Sequence, residues 1–509
     1  MILGAALFAL GAFQTIDPDL WWHLKTGQII LAHGIPKIDL FSFTMAGSPW
    51  TTHEWLSEVI MWWLYAYAGG FTALVIAFAL IAVLTFSLVY FTCAGRPIIA
   101  LPLTLLSFWT TRFMWGSRPQ VFNILLLALL MWFMENVRQK RFSPKAFYLL
   151  PLLILLWVNL HSGYLMGIVV LGIFLAGDSL QIFLWKSEEG TLGKAALKIL
   201  AIAMGLSILV SLINPNGYQM WLYPFGTLSS KMMQAFILEW QGPDFHHWYY
   251  KPFTICMALG AVAFMASRRR RNISEMVFYV GVMTAGLLSR RHIPFFAVVA
   301  IPIISRALMD CFETSRLRDF LDGSAFPRGT QLVRWISQMV VVAVLFFSAA
   351  FWGRWARHGV EANETAIREN YPVEAVKFLK ENGLAGQRGF NEYVWGGYLV
   401  WSDLRVLIDG RVDMYGDRFF LEYLGIHDLK KHWDEINAFF QRFNVTYAII
   451  PPQSPFSMIL RLNKGWHETY RDKTASIFLK VPPAPDAKNP EGGSFERKAL
   501  LANAAAKAP

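Results

Sequence analysis

Long apolar runs separated by short polar loops dominate the first two-thirds of the chain. A membrane-spanning helix needs ~20 predominantly apolar residues. On that measure the sequence predicts eleven spans, near 2–16, 71–93, 98–115, 119–137, 146–160, 163–185, 196–213, 252–267, 274–289, 293–308 and 335–352. A cleaved signal peptide is the rival for the first, but residues 1–16 carry no basic start and no A-x-A site. Two stretches in the first long loop are apolar yet interrupted. EWLSEVIMWWLYAYA, from Glu54 to Ala68, sets Glu54 and Glu58 on one helical face with Trp, Tyr, Leu and Met around the rest. LWWHLKTGQIILAH, from Leu20 to His33, has the same character. Both fit helices lying flat in the membrane interface, within one large loop over residues 17–70.

From about residue 353 the pattern shortens and mixes. A helix is expected over 372–382, strands over 388–391, 398–401 and 405–409, helices over 417–424 and 429–443, and strands over 446–450, 467–471 and 475–481. The expected organisation is a transmembrane domain over 1–352, an α/β domain over 353–481 and a disordered Pro-, Ala- and Lys-rich tail over 482–509.

Composition agrees with this layout. Of 509 residues 55% are hydrophobic and 16% charged, against about 45–50% and ~25% in soluble domains. Mean hydropathy is +0.38. An ordinary cytosolic enzyme is excluded. Cys93, Cys256 and Cys311 are too few and too close to apolar runs for a disulfide framework or a zinc site, so they read as buried thiols.

The net charge of +11 invites a nucleic-acid reading until the basic residues are sorted by loop. One set of loops holds 17 of the inter-span Lys and Arg residues, among them Arg138 to Lys145, Lys186 to Lys198 and Arg268 to Arg271, and the other set holds eight. The richer set is cytoplasmic by the positive-inside rule. That puts the N-terminus in the cytoplasm and the C-terminal domain outside it. The basic residues are topology signals, with no nucleic-acid patch.

Polar residues at span ends are costly and therefore candidates for function. They gather on the extracytoplasmic side: Asp17 and Asp19, His53 and Glu54, Arg118, Asn159 with His161, Glu239 with Asp244, His246 and His247, and Arg290, Arg291 and His292. Asp17 and Asp19, in IDPDLWWHL, are either metal-ligating or general-base carboxylates or an N-cap for the helix that follows. Arg290 and Arg291 run against the positive-inside trend. They either grip a phosphate or snorkel to headgroups. His161 is either a functional imidazole or a satisfied packing residue. In the C-terminal domain Gly396 and Gly397 permit close backbone approach. Trp395 and Tyr398 offer flat faces to a sugar or to a core, and Asp409 and Arg411 follow a strand-like VLI.

An acidic pair after the first span, a long first outer loop, about eleven spans and an outer α/β domain together resemble the GT-C glycosyltransferases. IDPDLWWHL is similar to the D-P-aromatic entry of the oligosaccharyltransferase catalytic subunit. YVWGGYLVWSDLRVLIDGR resembles the region around that subunit's W-W-D-Y-G motif. There is one departure. The motif's Asp position is Trp395, which leaves transfer to asparagine of N-x-S/T without its usual motif.

The resemblance implies a GT-C-like α-helical polytopic enzyme in the lipid bilayer of a prokaryotic cytoplasmic (inner) membrane. It would use a polyprenyl-phosphate-linked sugar as co-substrate and an extracytoplasmic protein, lipid or glycan as acceptor. It also implies Asp17, supported by Asp19, as catalytic base or as ligand of any Mg²⁺ or Mn²⁺, and the clustering of outward polar residues adds Glu54 to the catalytic set. Arg290, Arg291 and Arg118 would bind the donor phosphate, supported by His53, His161 and His292. Trp395, Tyr398, Asp409 and Arg411 would contact acceptor or sugar. Two other readings stay open at this point: a transporter or flippase of lipid-linked saccharides, which usually carries mid-span ionisable residues, and a non-catalytic envelope-assembly scaffold.

Overall fold

The computed structural model describes residues 2–12, 16–94, 97–267, 272–313 and 362–481. The span expected at 335–352 and the tail at 482–509 lie outside the described residues. The chain divides into two compact units, one of Met1–Thr15 with His53–Glu361, the other of Ile16–Thr52 with Ala362–Pro509.

The first unit is helical. Among the described residues five helices are long and apolar enough to cross a membrane: Gly70–Thr92, Gln120–Arg138, Tyr164–Trp185, Trp248–Ala266 and Arg290–Cys311. Pro144–Leu160 and Ile273–Leu288 are shorter apolar helices. Each long helix follows from an apolar run without central charge, so backbone hydrogen bonds are satisfied internally and side chains can face hydrocarbon. Arg290–Cys311 is the most enclosed, with 78% of its apolar window buried, whereas Gly70–Thr92 and Tyr164–Trp185 stand at 44%. The former is therefore a central helix and the latter two are peripheral. Leu80, Leu84 and Phe91 accordingly point outward. Between helices, Ser107 Oγ donates to Ala297 O at 2.9 Å and Ala94 N donates to Ser305 Oγ at 2.9 Å, contacts of the kind that hold helices together where the hydrophobic effect is weak.

Trp55–Tyr67 forms the helix expected there, but its acidic face does not look to water. Ser57, Glu58 and Met61 are buried, and Glu54 just before it is 7% exposed. The reason is that polar partners wait inside the unit, as described below.

The second unit is built on a four-stranded sheet in the order β1-β2-β4-β3, with β1 Gly389–Asn391, β2 Tyr447–Ile450, β3 Trp466–Arg471 and β4 Ser476–Lys480. β1 and β2 are parallel, with Phe390 beside Ala448. β2 and β4 are antiparallel, with Ile449 beside Ile477, as are β3 and β4, with a bulge between Glu468 and Tyr470. Helices Val373–Glu381, Val412–His427, Trp433–Arg442 and Pro455–Leu462 accompany the sheet. Phe390, Phe440 and Phe456 are fully buried and stack at mutual angles.

Two expected strands are corrected. Residues 398–401 lie in the helix Gly396–Trp401, and 405–409 carry only an isolated bridge, Val406 with Ser42. The helix Leu20–His33 has the expected ends. Instead of lying open at an interface, it buries Leu20, Trp21, Trp22 and Leu24 and packs on Gly396–Trp401. Cys256 is buried, whereas Cys93 and Cys311 are half-buried thiols.

Candidate functional site

The helical unit brings several sequence candidates together at one end of its bundle. His161 sits in the turn between Leu150–Leu160 and Tyr164–Trp185, and Arg118 precedes Gln120–Arg138. Arg290, Arg291 and His292 form the first turn of the Arg290–Cys311 helix.

Glu54 is held in this end by its neighbours. Trp55 Nε1 donates to Asn159 Oδ1 at 2.9 Å, Ser57 Oγ to Leu160 O at 2.7 Å, and Asn159 Nδ2 to Ile213 O at 3.0 Å. Asn159 thus ties three segments together. Glu54 Oε1 lies 3.0 Å from His161 Nε2 and 3.4 Å from His53 Nε2. The Gly163 amide donates to His161 Nδ1 at 2.8 Å, so Nδ1 carries no proton and the protonated Nε2 faces Glu54 Oε1. The His161 pKa is lowered, first by burial and also by the charge of Arg291, against the pull of Glu54. The imidazole is therefore neutral. Burial opposes ionisation of Glu54, but the charge of His53 and the hydrogen bond from His161 prevail and hold its carboxyl well below the ordinary range. His53 stacks on Tyr223 at 4.2 Å between centroids, and the Tyr223 hydroxyl lies 3.3 Å from its Nε2.

The arginines lie close by. Arg118 pairs with Glu239. Burial opposes ionisation of Glu239, and Arg118 and Arg291 outweigh it and lower its pKa. Ser289 Oγ donates to Glu239 O at 3.0 Å, and the Arg290 amide donates to Gln241 O at 3.0 Å, which docks the 238–242 segment on this turn. Arg290 Nε donates to Gly242 O at 3.1 Å, and its guanidinium lies over the Tyr250 ring at 5.4 Å. Arg291 lies over the Trp240 ring at 5.2 Å, and Trp240 meets His292 edge-on at 6.3 Å. Among the described residues neither Arg290 nor Arg291 forms an ion pair with a carboxylate. Two half-buried guanidiniums positioned by aromatic faces and carbonyls make a suitable receptor for a phosphate.

The second unit gathers the remaining candidates. Asp17 Oδ1 accepts from the Asp19 amide at 2.9 Å, and Asp19 Oδ1 accepts from Trp22 Nε1 at 3.1 Å. Asp19 occupies the N-cap position of Leu20–His33 but makes no side-chain cap hydrogen bond. This segment packs against the glycines of the 391–420 run. A Cβ on Gly397 would come within 2.4 Å of Pro18 O, and one on Gly410 within 1.9 Å of Asp19 Oδ1. Asp409 and Arg411 are buried and joined, Nη2 to Oδ2 at 2.6 Å and Nε to Oδ1 at 2.9 Å. Arg411 Nη2 also reaches Asp39 Oδ1 at 2.7 Å, and its guanidinium lies between Phe41 and Trp50 at 4.7 and 4.5 Å. Despite burial, Asp409 first and Asp39 after it raise the Arg411 pKa. Tyr398 packs edge-on against Trp21 at 5.0 Å, and Trp395 Nε1 donates to Asn370 O at 2.8 Å. All four residues from this run are internal to the unit. Reading the sequence did not single out Asp39, Tyr223 or Trp240. Only Asp39 carried a local signal, its DLFS turn, in which Oδ1 and Oδ2 accept the amides of Phe41 and Ser42.

No protein-family model matches the chain, and no curated protein matches it in sequence. Among solved structures, the oligosaccharyltransferase AglB of Archaeoglobus fulgidus, in complex with an inhibitory peptide and a dolichol-phosphate, is similar with a TM-score of 0.55 at 10% identity, over 99% of this chain and 77% of that one. The apo form of the A. fulgidus oligosaccharyltransferase gives 0.52 at 11% identity, over 88% and 69%. The same enzyme tethered to an acceptor peptide containing an NVT sequon gives 0.52 at 11% identity, over 88% and 68%. The chain shares its fold with these oligosaccharyltransferases, the enzymes whose catalytic subunit its sequence resembles.

Proposed function

We propose that this protein is a membrane glycosyltransferase that moves a sugar from a polyprenyl-(pyro)phosphate donor to an extracytoplasmic protein, lipid or glycan acceptor. The observation that carries this reading is the Arg290–Arg291 turn, two guanidiniums that form no carboxylate ion pair among the described residues, at one end of a GT-C-like bundle. In the proposed reaction the acceptor nucleophile forms a bond to the anomeric carbon of the sugar as the bond to the donor phosphate oxygen breaks. Arg290 and Arg291, with Arg118 beside them, bind the phosphate and stabilise the charge it gains on leaving. The Trp240 face, against which His292 packs, positions Arg291. Glu54, ionised and oriented by neutral His161 and by His53, contributes a fixed negative charge.

Asp17 and Asp19 take the role of orienting the acceptor and receiving its proton. Their Oδ1 atoms are each set by an N–H donor, and two hard carboxylate donors suit Mg²⁺ or Mn²⁺. An ion held there would supply Lewis-acid polarisation of an oxygen ligand. Asp409, Arg411, Trp395 and Tyr398 serve as positioning residues, because the Asp39–Arg411–Asp409 cluster and the packed aromatics fasten the Asp17 segment. The enzyme would reside in a prokaryotic cytoplasmic membrane with its C-terminal unit outside the cytoplasm. The test is transfer from a labelled polyprenyl-linked sugar by wild type and by Asp17→Asn with Asp19→Asn at equal protein level. Loss of transfer in the variant is expected, and retained transfer would overturn the assignment.

A further inference from the structure

A cavity of about 660 Å³ lies between Tyr164–Trp185 and Lys194–Val210. One wall is the face Leu175, Ser179, Ile182, Phe183 and Lys186, and the other is Lys194, Leu197, Lys198 and Ala201. Each set recurs at intervals of three or four residues, so each is a single helical stripe. Apolar side chains line the depth of the groove. Three ammonium groups and one carboxylate, Glu188, stand at its loop end.

The loop that sets these charges is pinned. Leu192 N donates to Asp178 Oδ2 at 2.8 Å, Gln181 Nε2 to Glu189 O at 3.0 Å, Thr191 Oγ1 to Glu188 O at 2.7 Å, and Asn272 Nδ2 to Gly190 O at 2.8 Å. The Lys186 ammonium lies 4.7 Å from the centre of the Phe183 ring. His161 is at the start of the helix whose end carries Lys186, and 22 residues at ~1.5 Å each span roughly 33 Å. This groove is thus at the membrane face opposite the Glu54–His161 end.

We propose that the groove binds an anionic glycerophospholipid, its phosphodiester at Lys186, Lys194 and Lys198 and its upper acyl chains along Leu175, Ile182, Leu197 and Ala201. Charge complementarity selects the occupant. The mouth carries a surplus of positive charge at headgroup depth above an apolar wall, which matches a lipid with a negative head and disfavours a zwitterionic one. The separation from the Arg290–Arg291 turn makes this site independent of the donor site, and its test does not require glycosyl transfer.

The test is native mass spectrometry of the full chain equilibrated with equal amounts of phosphatidylglycerol and phosphatidylcholine. Wild type should retain phosphatidylglycerol preferentially. Lys186→Gln with Lys194→Gln and Lys198→Gln should lose about tenfold or more of that preference, at about 1 kcal/mol and hence about fivefold per basic residue. Lys140→Gln with Arg141→Gln and Lys145→Gln, an equal charge loss in another loop, should keep it. Ala201→Phe, which fills the apolar wall and leaves every charge, should lose the lipid too. Equal preference in the two triple variants, full retention by Ala201→Phe, or displacement of phosphatidylglycerol by inorganic phosphate would each overturn the proposal.

Discussion

Among the described residues of the helical unit, buried ionisable groups cluster at each end of the same helices, and the two clusters are built differently. At the Arg138 end, Arg138 and Arg306 face Glu135 and Glu275. Arg138 reaches Glu275 at 2.7 Å and also pairs with Glu135, while Arg306 reaches Glu275 at 2.8 Å and Glu135 at 3.6 Å. Two guanidiniums and two carboxylates pair with one another across three helices. At the Arg118 end a carboxylate faces two imidazoles, and Arg290 and Arg291 rest on aromatic rings and carbonyl oxygens. Charge closed on itself joins helices. Arg118 is paired with Glu239, but Arg290 and Arg291, held by neutral partners, keep their capacity for a ligand, and that difference separates the structural clamp from the proposed phosphate site within one bundle.

The comparison breaks most readily at the clamp. Glu275→Gln or Arg306→Met leaves an uncompensated buried charge and should cost about 3–5 kcal/mol, read as a lowered melting temperature, with transfer per folded molecule unchanged. At the other end, Arg291→Gln should lower kcat by about 10²–10³-fold, the size of a lost charge stabiliser, with the melting temperature of wild type. Equal effects of the two variants on stability would erase the distinction.

A third prediction concerns the second unit, where His427 contacts Glu392 at 3.0 Å and Asp428 at 2.9 Å. The hydrogen bond to Glu392 leads in raising its pKa to about 9. Because the native value exceeds the unfolded one, this stabilisation is complete below about pH 6.5 and is lost as pH rises through about 9. Its full size is roughly 3 kcal/mol, which solvent screening at the half-buried imidazole reduces to about 2 kcal/mol. Melting curves across that range should show the loss in wild type and not in His427→Gln.

The smallest effect is at His161. Since burial, with the charge of Arg291, lowers its pKa, the ratio of wild-type to His161→Gln transfer rates should stay constant between about pH 6 and 8, around the ordinary imidazole value of ~6.5. A ratio that bends through that value would show His161 titrating.

Much of this was legible in the chain. The apolar runs located the long helices, and the Leu20–His33 helix has the expected ends, because period and length act locally. The arginine turn at Arg290–Arg291 stood out against the distribution of the other basic residues. Residues 398–401 form a helix where a strand was expected, since Tyr398, Leu399 and Val400 are all buried and a segment enclosed on every side carries no readable period. The membership of Ile16–Thr52 in the same compact unit as the C-terminal residues rests on long-range packing. Arg411 with Asp39 and Gly410 against Asp19 create it, and neither pairing leaves a mark on local sequence. The inward face of Glu54 and Glu58 was hidden for the same reason, because the His161 and Asn159 segment that receives this helix lies about a hundred residues away.

The most direct test of the account is the affinity of the full-length protein for polyprenyl phosphate, measured for wild type, for Arg290→Gln with Arg291→Gln, and for Arg141→Gln, an exposed arginine at the other end of the bundle. The account predicts a loss of about a hundredfold or more in the double variant, at roughly 1.5–3 kcal/mol per charge-assisted contact, and no change for Arg141→Gln. Unchanged affinity in the double variant would contradict it.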